Sequence, residues 1–100
     1  MNYGVQIRAA IRPPFPPLIT IQDIVRLLTI NRQRRPRRKF NAFNIYRTTT
    51  IFHMQINNNI LPISHDYFRS ITSVNWDSEA PDVKKIYQGL ARDTNSYYNL

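Results

Sequence analysis

The most constraining stretch of this 100-residue chain is its C-terminal end, where Val83, Ile86, Tyr87, Leu90, Ala91, Thr94 and Tyr98 recur at i, i+3, i+4 and i+7. That period lays one apolar stripe along an α-helix and would scatter the same residues over both faces of a strand. Pro81 suits the first turn of such a helix, and Glu79 and Asp82 complement its positive N-terminal dipole. Gly89 costs about 1 kcal/mol relative to alanine and softens the middle. Only two glycines occur in the chain, which disfavours tight-turned sandwiches and barrels. The expectation is a small all-α domain.

The rest of the chain is less explicit. Residues 64–75 fit a second helix, with Ser64 as N-cap and Phe68 and Ile71 facing inward. Between residues 42 and 58 the signal is poor, because the β-branched run at 48–52 reads equally as strand or helix. Asn57, Asn58, Asn59 and Pro62 mark a turn. Upstream, residues 20–30 read as a short helix: Thr20 and Asp23 make a weakened capping box, and Ile21, Ile24, Val25 and Leu28 share a face. That face docks either on the body of the domain or, through the 19–30 segment, on a partner protein. Pro13, Pro14, Pro16 and Pro17 around Phe15 predict an extended, polyproline-like, mobile stretch over residues 1–19.

The net charge of +8 is unevenly placed. Residues 1–40 hold nine Lys/Arg against the single acid Asp23, whereas residues 41–100 hold five of each sign. Residues 32–39 alone carry six positive charges, which repel one another into an extended segment suited to lie along phosphates. A neutral body with one intensely basic flank is the footprint of a polyanion binder, most commonly of nucleic acid. The same run would serve as a nuclear localisation signal. It is not part of an amphipathic helix, and no run of eighteen apolar residues exists, so neither membrane surface nor membrane span is expected.

Catalytic chemistry finds little support. The chain has no cysteine, which excludes disulfides and thiolate metal sites and favours an intracellular location. Two isolated histidines do not make a zinc site. Ser64, His65 and Asp66 are the residue types of a nucleophilic triad, but adjacent side chains on a helix point about 100° apart and form no relay. No enzyme activity, metal or cofactor is expected.

One segment carries a family resemblance. Arg38-Lys39-Phe40-Asn41-Ala42-Phe43-Asn44-Ile45-Tyr46-Arg47 resembles the first-helix signature of the HMG box, Arg-Pro-x-Asn-Ala-Phe-apolar-x-Tyr/Trp. Thirty-three residues after Phe43 comes the only tryptophan, Trp76, followed by Asp-Ser-Glu-Ala-Pro-Asp-Val-Lys-Lys-Ile-Tyr-Gln-Gly-Leu-Ala. That string is similar to the fungal mating-type (MATA-HMG-like) class, in which Trp precedes Glu-x-Pro-Glu-Val-Lys, Tyr and Leu-Ala. The likeness covers roughly residues 34–98 and leaves the first 33 without a counterpart.

The resemblance implies a three-helix L-shaped box over residues 34–100. A basic N-terminal arm and an extra short helix would precede it, with residues 1–33 as an extension. It implies that Tyr46, Trp76, Lys84 and Tyr87 build the corner core. Asn41 matches the asparagine that reads base edges in sequence-specific boxes, and Phe43 matches half of the wedge pushed between base steps. Arg38 and Arg47 match phosphate or groove contacts; Arg34, Arg35 and Arg37 would follow the backbone and narrow groove, with Arg69 adding to the interface.

Departures qualify the match. Asn44 replaces the apolar wedge tip and should give a shallower kink, Lys39 replaces the signature proline, and His65, Asp66 and Arg69 stand where Asn and Ser contacts are usual. The function implied is minor-groove binding and bending of A·T-rich double-stranded DNA by a nuclear, mating-type-like transcription regulator, monomeric on DNA. Two alternatives stand beside it: a non-specific architectural DNA-binding protein, and a protein-interaction module with weak DNA binding.

Overall fold

The computed structural model describes residues 11–13, 17, 19–31, 38–56 and 64–100. They form four helices: α1 (Ile21–Asn31), α2 (Ala42–Ile56), α3 (His65–Ser78) and α4 (Pro81–Tyr97). No strand occurs among the described residues, and the fold class is all-α.

Helix α1 starts where a reciprocal cap closes it. The Thr20 backbone N–H and hydroxyl donate to Asp23 Oδ2 at 3.1 and 2.9 Å, and the Asp23 N–H donates back to the Thr20 hydroxyl at 3.2 Å. Two otherwise unpaired amides are thereby satisfied. The buried row of α1 is Ile24 and Leu27, flanked by Ile21 and Leu28, so Leu27 takes the place expected for Val25. This face packs on α2 and α4, which settles where it docks: on the body of the domain. A helix from the sequence's apparent extension therefore shares one core with the segment that follows it.

Helix α2 contains the β-branched run that left its sequence ambiguous. Thr48, Thr49 and Thr50 donate their hydroxyls to the carbonyls of Asn44, Ile45 and Tyr46, four residues back, at 2.9, 2.9 and 3.0 Å. Their polar atoms are paired inside the helix, so Thr49 and Thr50 can be buried without an unsatisfied hydroxyl. Ile45 and Tyr46 give the turn before them two core side chains, and tertiary burial overrides the β preference.

Helix α3 begins at the N-cap Ser64, whose hydroxyl accepts from the Tyr67 N–H at 3.1 Å. It buries Ile71, Thr72 and Asn75 and packs on α2. Glu79 and Ala80 link it to α4. Helix α4 has Pro81 in its first turn and buries Val83, Tyr87, Ala91 and Thr94. Ile86 departs from the expected stripe and is 42% exposed, because the core side of α4 runs through 83, 87, 91 and 94. The helix ends in a Schellman motif: Leu100 N–H reaches the Asn95 carbonyl at 2.8 Å and Asn99 N–H the Ser96 carbonyl at 3.1 Å. Asn99 supplies the left-handed conformation this needs, with φ of 58°, and Leu100 returns to the core.

The proline-rich N-terminal stretch departs from its expectation where it is described. Ile11 and Pro13 are buried rather than extended into solvent, Ile11 against Phe68 and Ile71 of α3. An apolar seat for Ile11 and an ion pair for Arg12 anchor this part of the stretch on the domain.

Candidate nucleic-acid interface

The N-terminus of α2 and the residues before it form a well-defined polar surface. Asn41 is the N-cap: its Oδ1 accepts from the Asn44 N–H at 2.8 Å, while Asn44 Oδ1 accepts from the Asn41 N–H at 3.0 Å. This is a capping box built from two amides instead of hydroxyl and carboxylate. Because a backbone N–H selects the oxygen at each end, the orientation of both amides is fixed. Each carbonyl oxygen is engaged, and the Nδ2 groups remain as donors. The first turn of α2 carries no acid, so no carboxylate there offsets the positive end of the helix dipole.

Beside this cap lies an open cleft of about 440 Å³ lined by Leu28, Arg38, Lys39, Phe40, Asn44, Arg47 and Thr48. Arg38 and Lys39 are exposed and Arg47 is half-buried on α2. Three cations and an amide thus line one concavity with no carboxylate in its lining. Such a surface attracts anions and suits phosphate oxygens in particular. The cleft floor is positioned by Phe40, which is buried and held by Asn95 of α4. The Phe40 N–H donates to Asn95 Oδ1 at 2.7 Å, and Asn95 Nδ2 donates to the Phe40 carbonyl at 2.9 Å. One side chain so replaces a strand partner for the segment leading into α2.

Phe43 is half-buried one step along α2, with its ring 6.4 Å from that of Trp76. Trp76 belongs to an aromatic corner with Tyr46, 5.1 Å away, and Tyr87, 6.0 Å away; the two tyrosine rings are themselves 5.1 Å apart and edge-on. Lys84 Nζ lies 5.6 Å from the Trp76 ring centre, a cation–π distance. The corner joins α2, α3 and α4 and so sets where Phe43 and Asn41 stand relative to α3. Burial first, and the Glu79 carboxylate second, push the Tyr46 and Tyr87 phenols well above their ordinary value, with the Thr49 hydroxyl opposing this at Tyr87. The Tyr46 hydroxyl is buried without a hydrogen-bond partner of good geometry. The Arg12 guanidinium is held above its usual value by its hydrogen bond and charge pairing with Glu79.

The structure brings Arg38, Asn44 and Arg47 together at the cleft, with Asn41 and Phe43 on the same first turns of α2. Arg69 is exposed on α3, as are His65 and Asp66 in its first turn. Arg34, Arg35 and Arg37 lie outside the described residues. Sequence reading missed Asn95, Leu28 and Thr48, and it missed the capping role of Asn44. The last had a visible signal, since Asn-x-x-Asn before an apolar run has capping-box spacing. Among the described residues no cluster of His, Asp or Glu could hold a metal ion, and no helix is long and apolar enough to cross a membrane.

Compared with protein-family models, curated proteins and solved structures, the chain matches none.

Proposed function

We propose that this protein is an HMG-box-like DNA-binding protein that engages the minor groove of A·T-rich duplexes, bends them, and acts in the nucleus as a mating-type-like transcription regulator. The observation that carries the reading is the cleft beside the start of α2, which Arg38, Lys39 and Arg47 line together with Asn44 and no carboxylate. In this reading α2, α3 and α4 are the three helices of the L, and the Phe40 segment held by Asn95 is the arm along the third. The aromatic corner of Tyr46, Trp76 and Tyr87 supports it, since it joins the three helices.

The amide pair gives the reading a chemical direction. With their Oδ1 atoms accepting from backbone N–H groups, Asn41 and Asn44 present their Nδ2 groups as donors to a partner. Adenine N3 and thymine O2 are acceptors in the minor groove that these N–H groups can reach, whereas a G·C pair adds the guanine amino donor there. Phosphates fix the register through the cations, and Phe43 supplies the apolar wedge.

Replacing Arg38 or Arg47 with alanine tests the cleft. Each should lower the slope of log affinity against log salt by about 1 on every duplex, because one phosphate contact and its released counterion are lost. Arg92→Ala, on the exposed side of α4, should leave the slope unchanged. Equal slopes for all three variants and the wild type would remove the cleft as the phosphate site.

One observation favours a second reading. Asn44 is tied into the cap and is a polar, non-stacking side chain, so intercalation falls to Phe43 alone and the kink should be shallow. A non-specific architectural binder fits a shallow wedge. Asn44→Met should deepen the bend seen by end-to-end energy transfer; an unchanged bend would count against any wedge at this position.

A further inference from the structure

Glu79 is the most unusual charged residue outside the cleft. Its side chain is 5% exposed, although it is a carboxylate in the two-residue link between α3 and α4. A carboxylate stays charged in such a place only when a cation or several donors hold it. The cation comes from near the other end of the sequence. Arg12 Nε donates to Oε1 at 2.7 Å and Arg12 Nη2 donates to Oε2 at 3.2 Å, a two-pronged geometry that guanidinium provides and ammonium does not.

The residues beside Arg12 are seated as well. Ile11 is fully buried against Ile71 and Phe68 of α3, and Pro13 is buried. Ile11 therefore touches α3 at Phe68 and Ile71, and Arg12 holds Glu79, the residue just past its end. The Glu79 N–H also closes α3 by donating to the Trp76 carbonyl at 3.1 Å. The same residue thus ends α3, leads into α4 and receives Arg12. Without Arg12, Glu79 would have no ion-pair partner among the described residues.

We propose that residues 11 and 12 are an intramolecular strap, an Ile–Arg dipeptide seated on Phe68, Ile71 and Glu79, that locks α3 and its junction with α4. The seat has two parts with distinct chemistry: a hollow for a β-branched apolar side chain and a carboxylate for a guanidinium. Lysine at position 12 would keep the charge and lose the fork. The strap holds whether or not the protein binds DNA, so its failure and the failure of the DNA reading are separate results.

The test is hydrogen–deuterium exchange of the full chain, resolved by helix, for Arg12→Ala, Arg12→Lys, Glu79→Gln and the Arg12→Ala/Glu79→Gln pair. Arg12→Ala should speed exchange in α3 by about tenfold or more, because a nearly buried charge is left unpaired, while α1 and the second half of α4 keep their protection. Arg12→Lys should restore only part of that protection. The double variant should exchange more slowly in α3 than Arg12→Ala alone, since the stranded charge is gone. Near-ultraviolet circular dichroism of Trp76, the only tryptophan, should follow the same order. If Arg12→Ala proves unfolded, Ile11→Ala carries the test with the same selective loss expected in α3. Exchange in α3 unchanged by Arg12→Ala, or all helices loosened alike with additive effects, would overturn the strap.

Discussion

Helices α3 and α4 are similar in length but are held in different ways. Helix α4 buries a residue at every turn through Val83, Tyr87, Ala91 and Thr94, clamps the Phe40 segment through Asn95, and ends in a Schellman motif whose Leu100 rejoins the core. Helix α3 buries only Ile71, Thr72 and Asn75, two of them polar. Its position depends on a few particular contacts: Trp76 in the aromatic corner, Ile11 on Phe68 and Ile71, and Arg12 on Glu79. An apolar seam tolerates the loss of one contact, whereas a handful of anchors does not. α3 is therefore the element most easily displaced. In the proposed function it is also the arm that would have to follow a bent duplex.

The largest effect should come from the residue both regions share. Tyr46→Ala removes a fully buried ring that meets Trp76 and Tyr87, and it should cost about 3–5 kcal/mol and loosen α3 and α4 together. Urea unfolding followed by circular dichroism measures it. A loss restricted to α3 would break the picture of one corner serving both helices. The corner should also make the fold alkali-sensitive. Both tyrosine phenols are raised above the ordinary 10.0 in the folded state, so their contribution is complete below that value and is lost as pH climbs past it. Tyrosinate absorbance should show these two groups ionising only on unfolding; free titration in the folded state near pH 10 would contradict their burial.

Ile71→Ala separates the two regions. It should cost about 2–3 kcal/mol, with amide protection lost across α3 and kept in α4. Equal loss in both helices would mean that α3 is as firmly seated as α4. The smallest change sharpens the comparison from the other side. A Cβ at Gly89 would meet Arg92 Nη2 at 3.8 Å, an ordinary contact, so Gly89→Ala should stabilise α4 by about 0.5–1 kcal/mol. A lower midpoint for this variant would show that the middle of α4 is constrained by something beyond helix propensity.

Local signals in the sequence were legible and long-range pairings were not. The period of α4, the Ser64 cap and the Thr20–Asp23 cap each lie within one or two helical turns, and the structure has all three. Ile86 was misplaced because a heptad-like count admits two faces, and only packing against α2 chooses between them. The threonine run was ambiguous because hydroxyls bonded back to the preceding turn carry no distinctive spacing. Arg12 with Glu79, 67 residues apart, and Phe40 with Asn95, 55 apart, are single polar pairs with no period to reveal them. At the cleft, Arg38, Asn44 and Arg47 were picked out by motif, whereas the fixed orientation of the Asn41 and Asn44 amides emerged only from their mutual hydrogen bonds.

Fluorescence anisotropy with labelled DNA at near-physiological salt tests the central claim most directly, using an A·T-rich duplex, its scrambled counterpart and a four-way junction. The account predicts binding to the A·T-rich duplex at least about tenfold tighter than to the scramble. Equal binding to both duplexes with a preference for the junction would replace the sequence-reading regulator with an architectural binder. Negligible binding to all three would contradict the assignment of the cleft to DNA.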